Sequence, residues 1–189
     1  MSNPLCYWYR PELDTTAELA LDGHRYFQEI IGVLRWAVEL GRLDILLETS
    51  LLSAFLASPR EGHLEAAYHI FGYLKWNPKR KIAFDPQYPN IDQRRFINHD
   101  WTDFYRGAEE PIPANAPPAR GKCVSTHCFV DANIAGDMVG RRSHTGILIY
   151  VNRAPIIWHS KRQNTVESST FGSEIVAVKN AIELIESLR

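Results

Sequence analysis

The spacing of apolar residues changes once along this chain, and that change constrains the fold more than any other feature. Before residue 85, apolar residues recur every three or four positions, which predicts amphipathic helices. After Gly121 they alternate with polar residues, which predicts half-buried strands. Six of the eleven prolines lie in between, and proline disfavours regular structure because it lacks the amide proton. The sequence therefore predicts an α+β protein: a helical module over 1–84, a proline-rich connector over 85–120 and a second unit over 121–189.

Three helices are predicted in the helical module. The first two span 22–40 and 43–57, and the first is followed by Gly41, a natural stop. We expect the following residues to form their buried faces: Tyr26, Ile30, Leu34 and Ala37 in the first helix, and Leu47, Leu51 and Phe55 in the second.

The third predicted helix begins with a capping box formed by Ser58 and Glu61, with Pro59 in the first turn. Its apolar stripe consists of Leu64, Ala67, Phe71 and Leu74. Gly72 lies inside this helix, where glycine costs about 1 kcal/mol relative to alanine. We therefore expect a close helix contact at Gly72 that offsets this cost.

The second unit is predicted to contain three antiparallel strands and a helix. The strands span 124–131, 144–151 and 154–161, and residues 152–153 form a tight turn between the last two. Alternation places His127, Phe129 and Asp131 on one face of the first strand. The helix spans 168–189, and its predicted buried face consists of Ile175, Val178, Ile182 and Ile185.

Composition narrows the class of protein. The three cysteines form no C-x-x-C pair, and the N-terminus has neither a basic region nor an apolar core. These features predict an intracellular protein, cytoplasmic or nuclear, without a signal peptide, membrane span or membrane partner. The net charge of -1 means that contact with a polyanion must come from local basic patches.

Three basic patches are candidates for such contact. The first has four cations within seven residues and no acid: Lys75, Lys79, Arg80 and Lys81. The other two are the pairs Arg141 and Arg142, and Lys161 and Arg162. Each patch has two interpretations, because exposed cations contact phosphates but also occur on solvated turns and helix ends. The tryptophans Trp36, Trp76 and Trp158 are expected to fill a core rather than stack on bases.

Several motifs of the second unit resemble one known family. They are a D-A-N at Asp131, an A-G-D at 135–137, an R-x-S-type strand start at 142–146, the hairpin segment P-I-I-W-H-S-K-R-Q at 155–163 and an S-S-T helix start leading to Glu174. In this order they resemble the start of the RNase H domain in the Pol polyprotein of copia-type LTR retrotransposons. The helical module is similar to the thumb and connection region that follows the palm of the reverse transcriptase in the same polyprotein.

The resemblance implies a partial RNase H-like fold and a two-metal site that hydrolyses RNA in RNA/DNA hybrids. Asp131 and Glu174 are then catalytic residues and ligands of Mg²⁺, which requires oxygen donors. The implied partners are an RNA/DNA hybrid or template–primer duplex and the remainder of the Pol polyprotein. Each acid also has a simpler interpretation: Asp131 caps a turn, and Glu174 interacts with the dipole of its helix.

The resemblance also implies further acids that this sequence does not provide. The family has another metal-binding aspartate on the strand after the helix, whereas this sequence ends at Arg189, and no Y-x-D-D turn of a polymerase is present. The expectation is therefore a Pol fragment that is inactive, or nearly so, in isolation. Two alternatives are a non-catalytic module that binds duplex nucleic acid and a decayed reading frame without a function.

Overall fold

The computed structural model describes residues 9–92, 100, 102–107, 114–118 and 120–188. The predicted helical module, connector and second unit therefore each include residues outside this description, among them Cys6 of the three cysteines. The described helices and strands combine into a mixed α+β fold, as predicted. No helix in the described ranges is long and apolar enough to cross a membrane.

Helix α1, Leu21–Glu39, is the centre of the helical module. Its buried residues are Phe27, Ile30, Ile31, Leu34 and Val38. The predicted face was partly wrong, because Tyr26 is exposed and Phe27 is fully buried in its place. The observed stripe keeps Ile30 and Leu34 but is shifted toward Phe27, Ile31 and Val38, so that two adjacent isoleucines enter the core.

Helix α2, Leu46–Ser53, follows a short 3₁₀ turn over Leu43–Ile45 and is shorter than predicted. It directs Thr49 and Leu52 into the core, together with Ile45 from the turn. The predicted buried face of Leu47, Leu51 and Phe55 was wrong, because none of the three is buried. Phe55 lies beyond the end of the helix, so the three residues do not share one helical face.

Helix α3, Glu61–Trp76, begins two residues later than the capping box of Ser58 and Glu61 predicted. Backbone hydrogen bonds hold the preceding residues extended: the Leu19 N–H donates to the Pro59 carbonyl at 3.1 Å and the Glu61 N–H to the Ala17 carbonyl at 3.0 Å. The cap is instead Arg60, whose N–H donates to Nδ1 of the buried His63 at 3.1 Å. The predicted close contact at Gly72 was also wrong, because no atom lies within 4 Å of a Cβ built there.

The three strands form an antiparallel sheet in the order β1-β2-β3. They are β1, Thr126–Asn133, β2, His144–Val151, and β3, Ala154–Arg162, within two residues of the predicted bounds. The predicted turn between β2 and β3 is confirmed, and Asn152 adopts a φ of +55° there. Asparagine tolerates this left-handed conformation better than most residues. A short helix, α4, spans Thr102–Tyr105 before the sheet.

Helix α5, Thr170–Glu186, covers one face of the sheet. Its N-cap is Ser169, whose Oγ accepts a hydrogen bond from the Gly172 N–H at 3.1 Å. The buried residues of α5 are Ser173, Ala177 and Ala181. The predicted face was therefore wrong at Ile175, Val178 and Ile182, which are exposed. Small residues face the sheet because they let the helix backbone approach the branched side chains of β2 closely.

The helical module packs against the opposite face of the sheet. The indole Nε1–H of Trp158 on β3 donates to the Val38 carbonyl of α1 at 3.2 Å. The Ser50 hydroxyl of α2 donates to the Ser160 carbonyl of β3 at 2.7 Å. The two predicted units are thus in contact, and their division into separate domains remains a prediction.

Two glycines in helix interiors provide a test of helix stability. Gly32 in α1 and Gly72 in α3 have no atom within 4 Å of a built Cβ. Gly32→Ala and Gly72→Ala should therefore each raise the free energy of unfolding by up to about 1 kcal/mol, because alanine loses less backbone entropy. Urea denaturation measures the change.

Gly62 is the matched control in α3. A Cβ at Gly62 would lie 1.9 Å from Oδ2 of Asp14, so Gly62→Ala should destabilise the protein. Equal effects of alanine at all three positions would contradict this description of the helical module.

Candidate functional site

Alternation along β1 assigns neighbouring residues to opposite faces of the sheet. Val130 belongs to the small core that includes Ile147, Ile149 and Ala181, so it faces α5. Asp131 is exposed and therefore lies on the opposite face, toward the helical module. It pairs across the strands with Gly146 of β2, which has no side chain to cover the carboxylate.

Glu174 is the fifth residue of α5 and follows the fully buried Ser173, and α5 packs on the face of the sheet that Asp131 does not occupy. In the described ranges, no three His, Cys, Asp or Glu side chains are grouped so that they could hold a metal ion. The acids present around Asp131 and Glu174 thus do not match the donor set of two bridged Mg²⁺ ions.

A cleft of about 940 Å³ lies between the helical module and the sheet. We call it the module–sheet cleft. Its apolar lining includes Leu47 and Leu51 of α2 together with Phe129, Leu148 and Trp158 of the sheet. The α2 residues that were predicted to enter the core therefore line this cleft instead. Charged residues line it as well: Arg10, Glu12, Asp131, Asp137, Arg142 and Arg162.

Asp137 and Arg162 form an ion pair in the module–sheet cleft. Nη1 of Arg162 donates to Oδ2 of Asp137 at 2.8 Å, and the Val139 and Gly140 N–H groups donate to Oδ1 at 3.1 and 2.9 Å. Burial alone would raise the pKa of Asp137, but the hydrogen bonds from Gly140 and Arg162 outweigh burial and lower it. Asp137 is thus a turn residue, and the positive charge of Arg162 is balanced inside the protein.

The predicted basic patches occupy different places. Arg142, Lys161 and Arg162 surround a second hollow of about 510 Å³, which opens beside Trp158 and also includes Arg35 of α1. Arg141 is exposed and does not line either cavity. Sequence reasoning missed Arg35, because no local pattern indicates that α1 lies next to β3.

The remaining patch follows α3. We call the residues Lys75, Lys79, Arg80 and Lys81 the α3 basic run; all four are exposed, and no described carboxylate forms an ion pair with any of them. The guanidinium carbon of Arg80 lies 5.8 Å from the centre of the Tyr73 ring, within range of a cation–π contact. Trp76 within this run is 85% exposed and Trp36 is 66% exposed. The predicted core positions of these two tryptophans were wrong, whereas Trp158 is partly buried as part of the helical core.

Comparison with known proteins gives several relatives, three of which are retrovirus-related Pol polyproteins from transposons. The chain is 26% identical over 170 residues to the retrovirus-related Pol polyprotein from transposon RE1 of Arabidopsis thaliana, covering 90% of this chain. It is 27% identical over 151 residues to that from transposon TNT 1-94 of Nicotiana tabacum, covering 80% of this chain. A putative transposon Ty5-1 protein of Saccharomyces cerevisiae is 42% identical over 71 residues, which is 38% of this chain.

The chain is similar to a segment of copia-type Pol polyproteins. It spans 9% of the length of the RE1 and TNT 1-94 polyproteins and 22% of the Ty5-1 protein. No family model matches it, and no solved structure matches it significantly. The predicted resemblance to Pol polyproteins is confirmed, and the RNase H-like assignment of the sheet and α5 remains a prediction.

One partly buried histidine lies at the contact between the helical module and the sheet. Nε2 of His144 on β2 lies 2.8 Å from Oγ of Ser160 on β3 and 3.3 Å from Oγ of Ser50 on α2. Burial, with smaller contributions from Arg162 and His159, lowers the pKa of His144 to about 4. His144 is therefore neutral in the folded protein at neutral pH.

This depressed pKa predicts a loss of stability in acid. The unfolded chain binds a proton at His144 near pH 6.5, whereas the folded chain binds it only near pH 4. The stabilisation is thus present above pH 6.5 and is lost as the pH falls toward 4, by about 2 kcal/mol between pH 7 and pH 5. Urea denaturation at the two pH values should show this loss, and His144→Gln should reduce it.

His69 provides the control, because it is an exposed histidine on α3. His69→Gln should retain the pH dependence of the unmodified chain. If His144→Gln has no more effect on that dependence than His69→Gln, His144 does not link acid to unfolding.

Proposed function

We propose that this chain is a nucleic-acid-binding segment of a copia-type Pol polyprotein, from the region that joins the reverse transcriptase to RNase H. The motifs from Asp131 to Glu174 support this finer placement, as does the order of three antiparallel strands followed by a helix. RNA-directed DNA synthesis and hydrolysis of RNA in hybrids are the activities proposed for the whole polyprotein.

The observation that carries nucleic-acid binding is the exposure of Trp76 within the α3 basic run. Exposed cations at a helix end are explained by the helix dipole alone, but a tryptophan that is 85% exposed is not. A large aromatic surface beside several cations matches a strand of nucleic acid, which has a phosphate backbone for the cations and bases for the ring. The contact between Arg80 and Tyr73 orients one of these cations.

The proposed ligand is an RNA/DNA hybrid or a template–primer duplex. Phosphate contacts position a duplex without reading its sequence, so the α3 basic run is suited to a substrate that changes as synthesis proceeds. Arg142 and Lys161 are proposed as a second group of phosphate contacts. Arg162 contributes less, because Asp137 already balances its charge.

We propose in addition that the isolated chain does not cleave RNA. Asp131 faces the module–sheet cleft, whereas Glu174 belongs to the helix on the other face of the sheet. Two Mg²⁺ ions that share a phosphate need several carboxylates on one side of the substrate. The geometry thus favours the binding module over the nuclease among the functions considered.

The first test measures binding as a function of salt. The variant with Lys79→Ala, Arg80→Ala and Lys81→Ala should bind a labelled RNA/DNA hybrid more weakly. The slope of log K against log salt should decrease in magnitude by about 2–3, because three phosphate contacts are lost. Fluorescence anisotropy measures both quantities.

The control variant removes the same charge from scattered exposed positions: Arg25→Ala, Arg120→Ala and Lys122→Ala. Its salt slope should change by less than that of the α3 variant. Trp76→Leu should weaken binding to a hybrid with a single-stranded overhang roughly tenfold, the size of one stacked base, whereas Trp36→Leu on α1 should not. The proposal is contradicted if the α3 variant and its charge control change the salt slope equally, or if Trp76→Leu and Trp36→Leu weaken binding equally.

The second test is an assay for cleavage. A labelled RNA/DNA hybrid incubated with the pure chain and Mg²⁺ or Mn²⁺ should remain intact, and Asp131→Asn should make no difference. Cleavage that disappears in Asp131→Asn would show that the chain builds an active centre. It would overturn the proposed inactivity and leave the binding result unaffected.

A further inference from the structure

A row of large apolar side chains lies exposed along α5. Phe171 is 75% exposed, Ile175 51%, Val178 42% and Ile182 50%. Single exposed apolar residues are common, but four on one face of one helix form a continuous patch. Such a patch on a soluble domain marks an interaction surface.

The row follows the spacing of a two-stranded coiled coil. Its members and Ile185 are separated by four, three, four and three residues, which is the heptad pattern of core positions. β-Branched residues occupy both types of core position, Ile175 and Ile182 at one and Val178 and Ile185 at the other, so the row has the composition of a coiled-coil core but does not by itself fix the number of strands. At 3.6 residues per turn, the row points roughly 120° away from Ser173, Ala177 and Ala181, which face the sheet. The row is therefore open to a second helix.

Charges beside the row fix the direction of that helix. Glu174 precedes the core position Ile175, and Lys179 follows the core position Val178 on the other side of the row. These two flanking positions, five residues apart, face each other across a parallel two-stranded coiled coil. In a parallel pair of identical helices, Glu174 of each copy thus lies opposite Lys179 of the other, whereas an antiparallel pair brings like charges together.

We propose that α5 pairs in parallel with α5 of a second copy of this chain, through Phe171, Ile175, Val178 and Ile182. Two heptads are too short for a coiled coil of isolated peptides, because helix nucleation is costly. Here the sheet already holds α5 helical through Ala177 and Ala181, so association does not pay for ordering the helix. The surface is smaller than a standard interface, and the dimer is therefore weak and dependent on concentration.

Sedimentation velocity of the full chain over a range of concentrations tests the pairing. The chain should show a reversible monomer–dimer equilibrium, and Val178→Glu should weaken the dimer at least tenfold. Val33→Glu is the matched control, because Val33 is a 54% exposed valine within α1, and it should leave the equilibrium unchanged. A wild-type chain that stays monomeric overturns the proposal, as does equal dissociation by both variants.

A charge exchange tests the parallel orientation. Lys179→Glu should weaken the dimer, and adding Glu174→Lys in the same chain should restore it. Both variants lose the pair between Lys179 and Glu183, whose charged atoms lie 3.7 Å apart, so the comparison between them isolates the contact between copies. Failure of the second substitution to restore association overturns parallel pairing. If the chain is monomeric and the same substitutions change its binding to an adjoining Pol segment, the row is the contact surface for that segment instead.

Discussion

Alternation along β1 determines the arrangement of the whole sheet. Because Val130 packs against α5, its neighbour Asp131 must face the helical module. The same pleat places Trp158 and Ser160 of β3 on the module side, where they bond to α1 and α2. One face of the sheet is thus a packed apolar layer, and the other is a cleft that combines apolar and charged side chains. A register shift of one residue would exchange the side chains of these two faces, and it would therefore disrupt both the apolar layer and the cleft.

Polar contacts join the helical module to the sheet beside the module–sheet cleft, in addition to the packing of Trp158 against the helical core. The Ser50 hydroxyl reaches a strand carbonyl 110 positions away in the sequence, and His144 lies between Ser50 and Ser160. A partly buried neutral histidine in this place stabilises the contact only while it remains unprotonated. The position of the helices, and hence the shape of the cleft, therefore depends on His144, the same residue that makes the fold sensitive to acid. Local opening at this contact would expose Trp158 and the charged residues around it.

The strands could be predicted from sequence within two residues, whereas the buried faces of the helices could be predicted only in part. The predicted stripe of α3 is confirmed, because Ala67 is buried and Leu64, Phe71 and Leu74 pack against the helical core, but the predicted faces of α2 and α5 were largely wrong. A strand has two faces, so alternation alone assigns each side chain once the apolar set is known. A helix can rotate by one residue and still present an apolar stripe, as Phe27 in place of Tyr26 shows. In α5, alanine and serine rather than the larger isoleucine and valine residues occupy the buried positions, because small side chains let the helix backbone lie close to the sheet. The module–sheet cleft was not predictable at all, since its walls come from α2 and from strands far along the chain.

Pairing through α5 bears directly on the chemistry of Glu174. In the parallel pair, this carboxylate is engaged by an ammonium group of the second copy, beside an apolar seam. A carboxylate held in that way binds a divalent ion less well, because the two cations compete for the same oxygens. Dimerisation and metal binding at Glu174 therefore oppose each other. If addition of Mg²⁺ dissociates the dimer, Glu174 retains affinity for metal. If Mg²⁺ leaves the monomer–dimer equilibrium unchanged, the carboxylate of Glu174 serves association alone.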